Sequence, residues 1–472
     1  MLFSSSTFLI FFLPALFILY YVFPKKLIYA RNLILLSFSI VFYAFGGVRF
    51  LFLLLASILV NYLGGLGCGL AVKKGSKKAF LILAVAVNLA LLAYFKYAGF
   101  FTEALAFTGI PILKVTLPIG ISFFTFQGMS YVIDVYRGDA GMQRDPLKVA
   151  LYVSLFPQLV AGPIVRYSTV EKEISARSTT IADVSQGLTR FILGFGKKML
   201  LANSMGAVAD RVFGLTGNEL LSAPLAWVGA IAYTLQIYLD FSAYSDMAIG
   251  MGRMLGFHFL ENFDYPYTAS SVTDFWRRWH ISLSTWFRDY VYIPLGGNRR
   301  GKGRQIFNLA VVWALTGLWH GANWTFIVWG LYFGAILIVE KFILSGFLKK
   351  VPAFFGHLLT LFVVVISWVI FRSDSISDAI RYVGVMFGAG GGDAREAVYY
   401  LIEYLPEFVL CIVACLPLKK AVERALGKKA EKSHSARVLI EIGPKLFAAV
   451  VFALAYLKLA TGSFNPFIYF QF

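Results

Sequence analysis

Apolar runs of roughly 17–25 residues, the length a helix needs to cross a bilayer, recur along the chain and are separated by short segments that carry the charge. The first four predicted spans fill residues 5–23, 32–46, 50–71 and 79–97. Further helices are predicted at 184–213, 224–250, 306–320, 323–345, 354–371, 398–417 and 438–460, the second of these carrying Asp240 and Asp246. Two stretches break the pattern. LPIGISFFTFQGMSYVIDVYRG (117–138) and SLFPQLVAGPIVRYS (154–168) are interrupted by Pro, Gly and single charges and read as broken or re-entrant helices. Irregular backbone at membrane depth is tolerated only where it is buried in protein or lines a cavity. Residues 274–293 read as an amphipathic helix in which Trp276, His280, Leu283 and Phe287, spaced by 4, 3 and 4, share one face. The pattern predicts an all-α, polytopic integral membrane protein of about 11–13 membrane helices plus re-entrant segments. No internal repeat and no soluble domain interrupts it, so residues 1–472 form one membrane domain in this scheme.

Composition agrees. Hydrophobic residues make up 59% of the chain and charged residues 14%, with a mean hydropathy of +0.72, whereas soluble domains are about one-quarter charged. The net charge of +18, from 43 basic and 25 acidic residues, would suggest nucleic acid in a soluble protein. Here the bases sit in loops between spans, as topology signals and contacts to anionic membrane lipids, so no nucleic-acid partner is expected. Lys25, Lys26 and Arg31 follow the first span and KKGSKK (73–78) follows the third. Both ends are therefore assigned to the cytoplasm, which puts the N-terminus outside. The basic segment 419–437 is cytoplasmic by the same rule, so the last span runs outward and TGSFNPFIYFQF lies at the outer face. The opening MLFSSSTFLIFFLPALFILYYVFP lacks a basic leader and a small-residue cleavage site, and reads as a retained span.

Chemistry concentrates in the histidines. Cys68, Cys411 and Cys415 lie in apolar segments without histidine or carboxylate companions and read as core thiols, not a metal site. His258, His357 and His434 lie near span ends or in the basic loop and read as surface or packing groups. His320 differs. In ALTGLWHGANWTF it is flanked by Trp319, Gly321 and Asn323, with no charged residue between Arg304 and Glu340. An ionisable side chain at such depth marks a functional site, with a hydrogen-bonded structural imidazole as the alternative. His280, in FWRRWHISLSTWFRDYVYIPLGG, stands among Arg277, Arg278, Arg288 and Asp289, so an interfacial role and an active-site role are both open. No HExxH and no GxxxxGK[ST] appears, and GGNRRGKGR (296–304) lacks phosphate-loop spacing. A buried base among tryptophans suits acyl transfer, in which it takes the proton of an attacking thiol, hydroxyl or phenol. Burial disfavours imidazolium and so keeps such a base neutral.

FWRRWHISLSTWFRDYVYIPLGGNR, YLDFSAYSDMAIGMGRMLGF, ENFDYPY and LTGLWHGANWTFIVWGLYFG together resemble the membrane-bound O-acyltransferase (MBOAT) family. Within it they are similar to the bacterial branch that acylates alginate, peptidoglycan and teichoic acid. MLFSSSTFLIFFLP, LPIGISFFTFQGMSYVIDVYRG and FPQLVAGPIVRY extend the resemblance over nearly the whole chain. It implies a ring of tilted helices around a central tunnel in the bacterial cytoplasmic membrane, both termini extracytoplasmic, and no bound cofactor. Acetyl-CoA is the implied donor, an extracytoplasmic polysaccharide the acceptor, and a secreted SGNH-type acetyltransferase the partner. His320 matches the family's catalytic histidine and His280 the second active-site position. Trp276, Arg277, Trp286, Trp319 and Asn323 become tunnel or donor-binding candidates, each with packing as its alternative. The terminal motif 465–472, NPFIYFQF, resembles one in which Tyr469 carries the acyl group, with an aromatic membrane anchor as the alternative. D-alanyl transfer to teichoic acid, a transporter or flippase for the acyl donor, and a scaffold for a secreted transferase are the competing functions.

Overall fold

A computed structural model describes residues 1–472 apart from 161, 216–220, 349, 419, 423, 426–432, 463–464, 466–467 and 469–472. Among the described residues every regular element is helical. The chain divides into two compact units, Met1–Phe191 with Tyr244–Leu260, and Ile192–Ala243 with Glu261–Phe472.

Five of the described helices are long and apolar enough to cross a bilayer: Val48–Leu70, Lys74–Ala104, Trp324–Leu344, Ala353–Arg372 and Ile440–Ala460. They become six if Arg395–Glu403 and Leu405–Ala414, bent by 67°, form one span. The remaining predicted spans are helical too, but Phe8–Val22 and Ile28–Ala44 are shorter. Ala223–Met254 is 32 residues long and carries ionisable groups. Pro146–Ser154, Tyr167–Ser175 and Ile376–Gly384 do not follow from the hydrophobic pattern.

In the first unit, Ile121–Arg137 packs against Val48–Leu70 and Lys74–Ala104. Small residues let these backbones approach, as membrane helices require. A side chain at Gly64 would strike Ala84, and one at Gly65 the Tyr131 ring. Asn61 and Asn88 exchange side-chain hydrogen bonds of 3.1 and 3.0 Å across the helix pair. Residues 117–138 are not a broken helix: the helix runs without interruption from Ile121 to Arg137. The break is confined to the approach, where Gly120 has φ +76° and a Cβ would press on the Leu159 carbonyl. Asp134, a charge that suggested interruption, is buried inside the unit together with Gln127 and Ser130. Residues 154–168 are broken as expected. Pro146–Ser154 ends at Leu155, a four-residue helix Phe156–Leu159 follows, and regular helix resumes only at Tyr167. The breaks at Leu155 and Val160 are buried, as are the helical residues on either side of Leu155, which is where irregular backbone in a membrane protein is tolerated.

A guanidinium closes the same unit. Arg177 donates to the Tyr20 hydroxyl at 3.0 Å, to the Leu255 carbonyl at 3.0 Å and to Asn32 Oδ1 at 2.6 Å. Tyr20 in turn donates to the Leu255 carbonyl at 2.7 Å, so helix ends far apart in sequence share one knot of hydrogen bonds.

The second unit is aromatic at its centre. Gly301–His320 and Trp324–Val339 form a tight helical hairpin joined by Gly321, Ala322 and Asn323. Its backbones meet at two glycines: a Cβ at Gly317 would collide with the Phe326 carbonyl, and one at Gly330 with the Trp313 carbonyl. Against it pack Trp276, 4.6 Å from Trp313 and 4.9 Å from Phe333, and Trp279, 4.9 Å from Trp368. Each edge-to-face pair contributes about 0.5–1.5 kcal/mol beyond the area it buries.

Candidate active site

His320 is the last residue of the helix Gly301–His320, at the apex of the hairpin. The turn after it is set by Asn323, whose Oδ1 accepts from the Thr325 amide at 3.0 Å and so caps the following helix. The Asn323 amide also donates to the Asp374 carbonyl at 2.9 Å. Both bonds hold the turn that follows His320. His320 is 8% exposed. Trp319, Trp329 and Phe371 stand edge-on to its ring, at 5.1, 5.0 and 5.2 Å. Trp329 is fully buried, and its indole N–H has no hydrogen-bond partner among the described residues.

His280 does not sit on a continuous helix. Val272–Arg278 ends before it, Ile281–Phe287 starts after it, and His280 itself is left-handed at φ 44°, ψ 54°. The predicted helix 274–293 is therefore broken at this residue, although Trp276, His280, Leu283 and Phe287 are all buried. A left-handed histidine costs on the order of 1–3 kcal/mol and persists only when its surroundings enforce it. Here the enforcing segment is 262–264: the Ile281 amide donates to the Asn262 carbonyl at 2.9 Å and the Asp264 amide to the Arg278 carbonyl at 3.0 Å. The Asn262 side chain completes the arrangement. Its Oδ1 accepts from the Ser282 amide at 3.2 Å and the Ser282 hydroxyl at 2.8 Å, and lies 3.1 Å from His280 Nδ1. Because that atom accepts a backbone N–H it is the amide oxygen, so Nδ1 carries the proton and Nε2 the lone pair. His280 lies outside the long apolar helices, and burial pushes its imidazole down to about 3. It is neutral at physiological pH.

The two histidines share a neighbour. The Trp319 ring lies 5.8 Å from that of His280 and 5.1 Å from that of His320, so both imidazoles touch one indole. Phe241 and Phe263 complete the wall at His280, at 4.7 and 6.5 Å. The short helix before His280 is anchored by Glu340, whose carboxylate accepts from the Val272 and Thr273 amides at 2.8 and 3.0 Å, and by Ser271, which accepts from the Asp274 amide. Negative charge at a helix N-terminus is favourable.

The other predicted residues divide. Trp319 is in the cluster, and Trp276 joins it through Trp329, 5.7 Å away. Trp286 is buried against Phe287 and Tyr290, and Arg277 is exposed. Tyr469 lies outside the described residues. His258 is exposed and pairs with Glu173 at 2.7 Å, and His357 lies 2.9 Å from the Ala269 carbonyl. The three cysteines are buried. Among the described residues no three or more His, Cys, Asp or Glu side chains gather as metal ligands do. Asn262, like Trp329 and Phe371, is not among the residues the sequence singled out. It lies within ENFDYPY, but nothing in that segment marks its side chain as reaching a histidine 18 positions on.

Residues 50–377 match the family model of the MBOAT, membrane-bound O-acyltransferase family. A probable alginate O-acetylase of Azotobacter vinelandii is 40% identical over the whole of both chains. The peptidoglycan O-acetyltransferase of Helicobacter pylori is 33% identical over all of this chain and 98% of its own. A teichoic acid D-alanyltransferase of Bacillus subtilis is 28% identical over 48% of this chain and 59% of its own. By the extent of the family match and by full-length relatives above 30% identity, this chain belongs to the membrane-bound O-acyltransferase family and is a multi-pass membrane acyltransferase.

Proposed function

We propose that the protein moves an acetyl group from cytoplasmic acetyl-CoA to an extracytoplasmic polysaccharide, with His320 as general base and Tyr469 as acyl carrier. The observation that carries this proposal is His320 itself, an imidazole buried among Trp319, Trp329 and Phe371 at the end of a rigid hairpin. In the first half-reaction the Tyr469 phenol attacks the thioester carbonyl while His320 takes the phenolic proton. The C–S bond then breaks, and the departing CoA thiolate recovers the proton from His320. In the second, a serine of a secreted SGNH-type partner takes the acyl group from tyrosine and passes it to a sugar hydroxyl. Donor inside and acceptor outside are consistent with the loop charges, which favour a non-cytoplasmic side for both termini. The buried Trp329 indole N–H is a donor suited to the oxyanion that forms on attack. His280, held neutral and oriented by Asn262, orders the site beside it.

Full-length relatives named for O-acetylation of alginate and peptidoglycan support the acetyl reading over D-alanyl transfer, whose named relative aligns with about half the chain. The test is direct. Purified protein given acetyl-CoA accumulates acetyl-Tyr469, detected by peptide mass spectrometry, and His320→Ala abolishes it. An undiminished adduct in His320→Ala would sink the base assignment. Passage of labelled acetyl-CoA into vesicles without any adduct would establish a transporter instead.

A further inference from the structure

The second unit buries an ion pair that the proposed chemistry does not use. Lys198 Nζ lies 2.8 Å from Asp240 Oδ1, and the two side chains are 4% and 1% exposed. Desolvating two charges costs several kcal/mol per ion and is seldom recovered as net stability, so such a pair points to a specific arrangement being held. Lys198 sits on a π-helical turn, Lys197–Ala202, inside an otherwise α-helical run. Insertions of this kind are frequent at functional sites. The other carboxylate oxygen has a second task. Asp240 Oδ2 accepts the backbone N–H of Ile468 at 3.0 Å, and Ile468 is itself 4% exposed within the aromatic core. Asn465, three residues before Ile468, accepts at Oδ1 from the side-chain amide of Asn203, just past the same π turn, at 3.3 Å.

We infer that Lys198 and Asp240 form a positioning latch for the end of the chain, clamping the amide immediately before Tyr469 and so setting where that phenol can reach. A backbone N–H carries no sequence information by itself. Register comes from the buried Ile468 side chain and from the Asn203–Asn465 contact, which together allow one alignment of the segment. Lys198 fixes the carboxylate from one side, leaving the opposite oxygen for the tail. Asp240 and Lys198 act through Tyr469 and touch no reacting atom. The inference rests on the carrier role proposed for Tyr469, but the latch can be measured without it.

Two double variants in the full-length, nanodisc-embedded protein separate the alternatives. Lys198→Met with Asp240→Leu removes both charges and the acceptor. Lys198→Met with Asp240→Asn removes both charges but keeps an oxygen for the Ile468 amide. A hydrogen bond to a charged group contributes about 1.5–3 kcal/mol, so its loss corresponds to roughly tenfold or more. Hydrogen exchange at Ile468 accelerates by about that factor in the Leu variant, and the acetyl-Tyr469 yield at limiting acetyl-CoA falls in parallel. The Asn variant rescues both toward native values. Ile468→Pro, which deletes the donor at the chain end without touching the core pair, lowers the adduct as the Leu variant does. Native exchange at Ile468 in the Leu variant, identical behaviour of the two doubles, or native adduct in Ile468→Pro overturns the latch. If the native protein forms no acetyl-Tyr469 while Ile468 is protected, only the carrier assignment fails, because exchange reads the latch on its own.

Discussion

The two units bury polarity in different ways. In the first, amides and a guanidinium tie helices together by binding one another and the backbone. Asn61 and Asn88 pair reciprocally, and Arg177 joins Tyr20, Asn32 and Leu255. In the second, the buried polar groups at the site are imidazoles set against aromatic rings, with Trp319 touching both. Amides and guanidinium keep one protonation state, and their knots hold helices. An imidazole can exchange a proton near neutral pH, and aromatic rings form an apolar wall around that of His320, whereas burial keeps His280 neutral beside it. Polar residues in a membrane chain thus divide by chemistry into those that hold and those that react.

Four substitutions break or sharpen that contrast. The largest effect is expected at His320: the Ala variant loses about 10²- to 10⁴-fold in acyl transfer, the range for a positioned general base, while its melting temperature in detergent stays near native. Arg177→Met should do the reverse. Stranding the Asn32 acceptor, while the Leu255 carbonyl keeps its bond from Tyr20, costs about 1–3 kcal/mol of stability, read as a lower melting temperature, and turnover per folded molecule is retained. If Arg177→Met instead abolishes turnover at full stability, the first unit is not merely a scaffold. Asn262→Ala falls between, lowering turnover roughly 10- to 100-fold through misplacement of His280, with Asn262→Gln failing to rescue because the longer side chain moves the oxygen. The smallest effect belongs to the exposed His258–Glu173 pair. His258→Ala changes stability by less than about 1 kcal/mol and leaves acetylation at the native rate.

Much of the contrast is legible in the sequence, and what is not has physical causes. His320 stands out because no Asp, Glu, Lys or Arg lies between Arg304 and Glu340, a local property of the chain. The break at His280 is invisible because Trp276, His280, Leu283 and Phe287 keep helical spacing through it. The left-handed turn is imposed by Asn262 and Asp264, and periodicity does not register such distant contacts. Asn323 drew attention as a neighbour of histidine, yet its place two residues before Thr325 already fits a helix cap. Residues 117–138 misled for the opposite reason. A charge looks like an interruption when the groups that receive it lie elsewhere in the chain, as for the buried Asp134, which accepts from the Ser168 hydroxyl at 3.4 Å.

The hairpin that carries His320 has a consequence for how such an enzyme can diversify. At Gly317 and Gly330 its two helices meet backbone to backbone, and any side chain there would lever the apex, and the imidazole with it, out of place. The proton-accepting end is therefore built without slack and tolerates little drift. Adaptation to a bulkier acyl group or a different polymer must fall on residues away from this apex, so related enzymes can change what they carry while leaving the tool that moves the proton untouched.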